Sequence, residues 1–174
     1  GSLLPTSAFE LDLKGMRAWI EAIPSVEHAS VITSTGGLLA VQVTEIQPEF
    51  IWRSFEGLQL ISSDGKKLRQ VSQRADFGSL PLIAGEGATE SLSEARALLA
   101  TAAPISDRLR GLVRIGERRW DLVLLDGQTI ALPEANPEQV LAQVIVLSAA
   151  QDLFEREILL MDFRNPRRPT LRLR

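Results

Sequence analysis

Asp121 and Asp162 are the side chains whose placement best suggests acid–base chemistry. Each stands in an alternating strand pattern with leucines nearby, and a pair of carboxylates can act as general acid and general base. A solvated carboxylate on the outer face of a strand is the simpler interpretation of both, because the leucines occupy the opposite face. We therefore predict no catalytic residue and interpret the chain as not being an enzyme.

Other residue types that carry chemistry are scarce. His28 is the only histidine, and cysteine and tyrosine are absent, which removes thiolate chemistry and disulfides. We interpret His28 as a surface or hydrogen-bonded histidine, because it stands in a strand beside polar residues. The run Gly85-Glu86-Gly87 predicts a turn, since Glu86 would repel a phosphate. We predict no metal and no cofactor.

Positive charge is concentrated at the carboxyl-terminal end, although the net charge of the chain is −3. Two interpretations stay open, because charge on an edge strand commonly prevents aggregation and a basic strip can also dock an acidic partner. Elsewhere the two signs are interspersed, which gives no indication of nucleic-acid binding. The arginines concerned are Arg164, Arg167, Arg168, Arg172 and Arg174.

Three patterned segments position these arginines. Trp120, Leu122 and Leu124 alternate with other residues, and Asp126-Gly127 predicts a hairpin turn to a second strand. A helix follows, with Asn136 as its N-cap and Pro137 at its first position. The chain then returns to strand.

The last strand, Thr170 to Arg174, has no later segment to pair with in this sequence. We expect Leu171 and Leu173 to face the core and Thr170, Arg172 and Arg174 to face outward. Its outer backbone groups are then unpaired, and an uncovered edge is a template for another chain's backbone.

The first half of the chain predicts a small α+β unit and a hairpin. Asp12 caps a helix that Pro24 ends, and two alternating strands flank Gly36-Gly37. Ser63-Asp64-Gly65 predicts a second hairpin turn. We expect Phe50 and Trp52 to form core between two domains, and residues 80–85 to form a loop.

No continuous apolar run reaches the roughly 20 residues that span a bilayer. Gly1-Ser2 is typical of a tag remnant, so we expect a longer natural protein with a preceding segment. The length of 174 residues allows one or two domains.

Six short motifs follow one another along the chain. They are I-P-x-V-x-x-A-x-V (Ile23 to Val31), L-x-V-x-V-x-E-x-x-P-x-x-x-W (Leu39 to Trp52), L-I-x-x-x-G (Leu60 to Gly65), L-P-x-I-x-G (Leu80 to Gly85), R-x-W-x-L-x-L (Arg118 to Leu124) and D-x-R (Asp162 to Arg164). In order and spacing they resemble the periplasmic part of the FtsQ/DivIB family of bacterial cell-division proteins, and the sequence is most similar to the alphaproteobacterial branch. Two positions depart from the family pattern, namely Ser25, where the family has Trp, and Ile46, where it has Arg.

The resemblance implies an α+β fold in two domains. Residues 1–53 would be a partial POTRA domain that lacks its first strand and helix, and residues 54–174 would be a β domain with a mainly antiparallel sheet and covering helices. It also implies a single-pass inner-membrane protein whose periplasmic part acts at the division septum, and this fragment itself would not insert into the membrane.

The resemblance further implies a non-enzymatic scaffold of the divisome that recruits FtsB and FtsL, with other divisome components as further partners and no nucleic acid. The partner would add a strand beside the last strand of the β domain. Alternatives are a POTRA-type periplasmic chaperone or assembly module, and a hydrolase that uses the strand carboxylates. We expect replacement of Asp162 or His28 by alanine to leave partner binding almost unchanged. The implied partner-binding residues are Arg164, Asn165, Thr170, Leu171, Arg172, Leu173 and Arg174, with Arg118 or Arg119 before the hairpin tryptophan.

Overall fold

The computed structural model describes residues 12–33 and 38–174 and shows an α+β architecture with two sheets. The smaller unit contains helix α1 (Leu13–Glu21) and strands β1 (Val26–Thr33) and β2 (Leu39–Glu45). Two helices, α2 (Leu92–Thr101) and α3 (Pro137–Gln151), accompany the larger sheet. The nine strands of that sheet are β3 (Pro48–Ser54), β4 (Gly57–Ser62), β5 (Lys67–Val71), β6 (Leu82–Ala84), β7 (Leu109–Ile115), β8 (Arg119–Leu124), β9 (Thr129–Ala131), β10 (Ile158–Asp162) and β11 (Thr170–Leu173).

The large sheet is mixed and mostly antiparallel, in the order β11-β10-β9-β8-β7-β6-β3-β4-β5. Three neighbouring pairs are parallel, β9 with β10, β6 with β7 and β3 with β6. The other five pairs are antiparallel. Strands β5 and β11 are therefore the two edges, and the predicted fold class is confirmed.

The small unit follows its sequence pattern. The Asp12 side chain accepts a hydrogen bond from the Gly15 backbone N–H at 2.8 Å, which caps α1 as predicted. Strands β1 and β2 pair in antiparallel register from Val26 opposite Glu45 to Thr33 opposite Leu39. The predicted glycine turn at 36–37 lies outside the described residues.

One face of the large sheet is covered by both helices. Their apolar stripes, such as Leu98 of α2 and Leu141 of α3, join Trp120, Leu122 and Ile130 of the strands in one buried cluster. Burial of apolar surface of this extent is the main stabilising contribution to such a fold. The prediction of helices on one face of the sheet is confirmed.

On the opposite face, Ile51, Leu60, Leu68 and Leu82 of strands β3 to β6 form a second buried cluster. Phe50 and Trp52 alternate with Ile51 and so lie on the helix-covered face, where Phe50 is buried in the main cluster and Trp52 packs against it. The prediction that they form core is confirmed, but this core belongs to the large sheet itself, because β3 is an interior strand of that sheet.

Residues 82–84 form a strand, although the predicted structure for 80–85 was a loop. The strand is only three residues long, but it is paired on both sides, with Ile83 opposite Trp52 on β3 and opposite Leu112 on β7. Pro81 and Gly85 give this segment a sequence pattern that is typical of a loop, but pairing with two neighbouring strands stabilises it as a strand.

Residues 48–54 form strand β3 and belong to the large sheet. Arg53 pairs with Leu58 of β4 and with Ala84 of β6, so the predicted domain boundary between residues 53 and 54 lies inside the β3–β4 hairpin. The division into two domains stays a prediction, and the change from one sheet to the other occurs at Ile46 and Gln47.

Across both described ranges, no helix combines the length and apolar character needed to cross a bilayer.

Candidate functional site

Strand β11 occupies one edge of the large sheet and pairs only with β10 among the described strands. The register sets Thr170 opposite Asp162, Leu171 opposite Met161 and Arg172 opposite Leu160. The Arg174 N–H donates to the Glu157 carbonyl at 3.0 Å. Because backbone groups alternate between the two sides of a strand, those of Arg172 and Thr170 also point toward β10, and those of Leu171 and Leu173 point away.

The pairing on the far side of β10 gives the same assignment. The Phe163 N–H donates to the Ala131 carbonyl at 2.9 Å, toward β9. By alternation Met161 also points toward β9, which leaves the backbone groups of Leu160 and Asp162 for β11. Their partners Arg172 and Thr170 are thus the hydrogen-bonded residues of β11. The outward N–H groups of this edge belong to Leu171 and Leu173.

The side chains of Leu171 and Leu173 are not buried. They lie on the helix-covered face, opposite Met161 and Ile158, but 47% and 67% of their surface is exposed. They therefore face the core side of the sheet as predicted, but they stay exposed because the helical cover does not extend over the edge strand. Thr170, Arg172 and Arg174 are exposed, as predicted.

The open face of the sheet carries a row of polar residues that ends at β11. Asp121 of β8 pairs with Ala131 of β9, which pairs with Asp162 of β10, which pairs with Thr170 of β11. Residues directly opposite one another share a face, so the two carboxylates and the threonine lie on one side of the sheet.

Asp162 holds the start of the β10–β11 connection. Its Oδ1 accepts from the Arg164 backbone N–H at 3.0 Å and from Arg164 Nε at 2.9 Å, and its Oδ2 accepts from Arg164 Nη2 at 2.5 Å. Hydrogen bonding from Arg164 holds the pKa of the Asp162 carboxyl below its usual range. Only 15% of the Asp162 side chain is exposed, so its interpretation as a freely solvated carboxylate is wrong.

Asp121 forms a second ion pair on the same face. Its Oδ1 lies 3.6 Å from Arg119 Nη1, and neither of these two buried atoms has a hydrogen-bond partner. Burial raises the pKa of the Asp121 carboxyl, while Arg119 and Arg164 oppose that rise and Asp162 adds to it. This carboxylate is also largely buried, with 14% of its side chain exposed, and the prediction of a solvated strand carboxylate is wrong here too.

The structure thus brings Arg119, Arg164 and Thr170 to one face of the sheet, together with two carboxylates that we did not assign to the site. The D-x-R motif was the available signal for Asp162, because an aspartate commonly accepts a hydrogen bond from the backbone N–H two residues later. Asn165 makes the same kind of turn, its Oδ1 accepting from the Arg167 N–H at 3.2 Å.

The remaining predicted residues lie around this face. Arg174 reaches back and donates from Nη2 to the Asp126 carbonyl in the β8–β9 turn. Arg118 is exposed in the turn before β8. Arg172 lies on the open face opposite Leu160 and forms no ion pair among the described residues. Partner binding by any of these residues stays a prediction.

Other candidate chemistry is tied into structural contacts. His28 is exposed, and its Nδ1 lies 3.1 Å from Glu21 Oε1 and 3.3 Å from Arg17 Nη2. The Glu21 carboxylate is in turn hydrogen-bonded to the Ala29 N–H at 3.0 Å. Within residues 12–33 and 38–174, no group of three or more histidine and carboxylate residues is placed to hold a metal ion. Gly85 and Gly87 have φ of 96° and 73°, in agreement with the predicted turn.

Residues 50–164 match the family model described as "Cell division protein FtsQ/DivIB, C-terminal". This range begins in β3 and ends just after β10, so it includes eight of the nine strands of the large sheet and both of its helices.

Curated relatives match over nearly the whole chain. A "Cell division protein FtsQ" from Cereibacter sphaeroides is 46% identical over 170 residues, which are 98% of this chain and 55% of the relative. The protein of that name from Paracoccus denitrificans is 43% identical over 98% of this chain and 50% of the relative, and the one from Caulobacter vibrioides is 29% identical over 100% of this chain and 57% of the relative. The chain spans about half the length of these relatives.

Proposed function

Because the chain belongs to the FtsQ/DivIB family of cell-division proteins, we propose that it is a non-enzymatic scaffold of the divisome that captures FtsB, and with it FtsL, by strand addition to β11. The observation that carries this proposal is the outer side of β11, which no strand among the described residues pairs with and toward which the N–H groups of Leu171 and Leu173 point. A strand laid along this edge would satisfy these groups.

Backbone hydrogen bonds to an added strand would supply affinity and place little restriction on the sequence of the partner. Each added backbone hydrogen bond contributes about 0.5–1.5 kcal/mol net, and an added strand forms several of them in register. The bulge in β10 between Ile158 and Leu160 does not interrupt β11 itself, so its outer edge is continuous over residues 170–173.

Charge at the same edge favours an acidic partner. Arg172 has no counter-ion among the described residues, and Arg167 and Arg168 are exposed in the connection before β11. Arg164 and Arg119 are already paired with aspartates. We therefore expect binding to weaken as salt rises, because exposed charges are screened within roughly 10 Å at 0.1 M ionic strength.

The proposed setting is the periplasm at the division septum, with the full-length protein anchored by a single span in the inner membrane. The two carboxylates on the open face support the non-enzymatic proposal. Asp121 is paired with Arg119 of the same strand, and Asp162 is paired with Arg164 just after β10, which leaves neither in the role of a free acid or base.

Leu171→Pro tests the proposal. Proline lacks the outward N–H, and it is tolerated at such a position because the inward ladder to β10 does not use that donor. We expect the variant to keep the fold and to lose capture of the periplasmic segment of Cereibacter sphaeroides FtsB in a pull-down and in a titration by calorimetry.

Leu171→Ala is the matched control, because it removes the same side chain and keeps the N–H. Circular dichroism and urea denaturation establish that both variants are folded. If folded Leu171→Pro bound the FtsB segment as tightly as Leu171→Ala, strand addition at β11 would be the wrong mechanism.

A further inference from the structure

An apolar groove runs along the flank of α3 beside the β10–β11 connection. Its volume is about 640 Å³, and its lining is predominantly apolar. Val146 is 69% exposed, although it is a large hydrophobic residue. The residues that define this α3 groove are Val146, Leu147, Ala150, Phe163, Pro166 and Pro169.

The α3 groove lies on the β11 side of the helix. Helix α2 packs against α3, whereas Phe163, Pro166 and Pro169 belong to the segment that leads from β10 into β11. Leu171 and Leu173 stand on the same face of the sheet as α3, and both are exposed. An uncovered apolar surface therefore continues from the helix flank to the edge strand.

The other face of the same edge is basic. Arg172 alternates with the two leucines and lies opposite Leu160 on the open face, without an ion-pair partner among the described residues. The edge thus presents hydrocarbon on one side and positive charge on the other. A strand added to β11 would place successive side chains on these two sides in turn.

The groove borders the first residues of β11. Helix α3 and the strands β9 and β10 contribute to one core cluster, and Pro169, which lines the groove, directly precedes Thr170 of β11. A strand added beyond β11 lies about 4.8 Å further out. Its side chains on the helix side would lie beside the groove where it borders the start of β11.

We propose that this edge recognises an extended partner segment in which apolar and acidic residues alternate, with the apolar side chains in the α3 groove and the acidic side chains toward Arg172. The inference rests on the proposed strand addition and adds a sequence rule for the partner. An amphipathic helix in the groove would fit the hydrocarbon surface but would leave the N–H groups of Leu171 and Leu173 without a partner.

Two synthetic peptides of identical composition test the rule. One alternates valine and glutamate, and the other carries the same residues as a valine block followed by a glutamate block. Each is titrated into the isotopically labelled chain, with affinity and the exchange protection of the Leu171 and Leu173 amides measured by NMR. We expect the alternating peptide to bind at least about tenfold more tightly, which corresponds to ~1.4 kcal/mol.

Val146→Glu tests the role of the α3 groove in binding, and Arg172→Glu tests the role of the basic face. Each should weaken binding of the alternating peptide about tenfold, the first by placing a charge in the groove and the second by repelling the acidic side chains. In an alternating peptide with lysine in place of valine, Val146→Glu should strengthen binding. Phe55→Glu is the matched control for a new surface charge, because Phe55 is 97% exposed at the distant β3–β4 turn, and it should leave affinity unchanged.

The possible results separate this inference from the proposed function. If both peptides protect the two amides equally, or if Val146→Glu has no effect, the alternation rule is wrong while strand addition stands. If a peptide with valines at helical spacing binds more tightly than the alternating one, the groove takes a helix and the rule is again wrong. If no peptide protects the amides, the rule fails, and the FtsB titration with Leu171→Pro decides the proposed function independently.

Discussion

Replacing Asp162 by asparagine should loosen β11 without unfolding the chain. The sequence alone predicted that this residue could be changed with almost no effect on binding, but its carboxylate accepts the backbone N–H and the guanidinium of Arg164 at the point where the chain turns from β10 toward β11. Asparagine keeps the shape and one acceptor and removes the charge.

The magnitude follows from the exposure of the two partners. Hydrogen bonds to charged groups contribute about 1.5–3 kcal/mol when shielded, and exposed ion pairs about 0.2–1 kcal/mol. The Asp162 side chain is 15% exposed and that of Arg164 is 55% exposed, which places the pair between these limits, at about 1–2 kcal/mol. A loss of that size raises the population in which β11 is detached from β10 by a factor of about 5–30.

Amide hydrogen exchange measures this local opening directly. The Arg172 and Thr170 amides point toward β10 and should exchange about 5–30-fold faster in Asp162→Asn, whereas the outward Leu171 amide should change little and serves as an internal reference. Asp107→Asn removes a carboxylate from a turn elsewhere in the sheet and is the matched control. Unchanged exchange at Arg172 and Thr170 would refute the role assigned to this ion pair.

Acid should reproduce the effect of the substitution. The pKa of Asp162 is lowered in the folded chain, chiefly by the hydrogen bond from Arg164. Its contribution is therefore fully present above the unfolded pKa of about 3.9 and is lost as pH falls through the folded value. The difference in exchange between the wild type and Asp162→Asn should disappear in acid.

Two further substitutions test how the sheet is stabilised. In Gly85→Ala the new Cβ would collide with the Arg114 carbonyl, and φ is 96°, so we expect the free energy of unfolding to fall by at least about 2 kcal/mol in urea denaturation. Gly57→Ala is the control, because φ there is 125° but nothing lies within 4 Å of the new Cβ, and its loss should be smaller. Equal losses in the two variants would contradict the collision. Glu49→Gln breaks a bidentate pair with Arg96 at 2.7 and 2.8 Å, whose partial exposure limits the cost to about 0.5–1 kcal/mol. Because Arg96 lowers the pKa of Glu49, this loss should be measurable at neutral pH, decrease below the unfolded pKa of about 4.3 and vanish as the pH falls through the lowered folded pKa.

Local patterns in the sequence predicted most of the elements. The capped helix α1, the alternating strands β1 and β2, the hairpins at Asp64-Gly65 and Asp126-Gly127 and the helix that begins at Pro137 all follow residue spacing alone. Strand β6 could not be found this way, because its three residues form a strand only through ladders on both sides.

The sequence predicted only part of the candidate site, because some of its features depend on tertiary packing. Alternation correctly placed Leu171 and Leu173 on one face and Arg172 on the other, but whether that face is covered depends on how far α3 reaches across the sheet. The ion pairs of Asp162 with Arg164 and of Asp121 with Arg119 each join residues two apart in the sequence. That both pairs lie on one face depends on β9 pairing with β8 and with β10.

The two ends of the large sheet carry charge of the same sign. Strand β5 contributes Lys67 and Arg69 at one end, and β11 contributes Arg172, with Arg174 directly after it, at the other. A molecule with two free sheet edges can in principle join head to tail with its own copies into an open filament, and such growth would bring these cations side by side. Electrostatic repulsion between the two edges therefore disfavours self-polymerisation of the sheet.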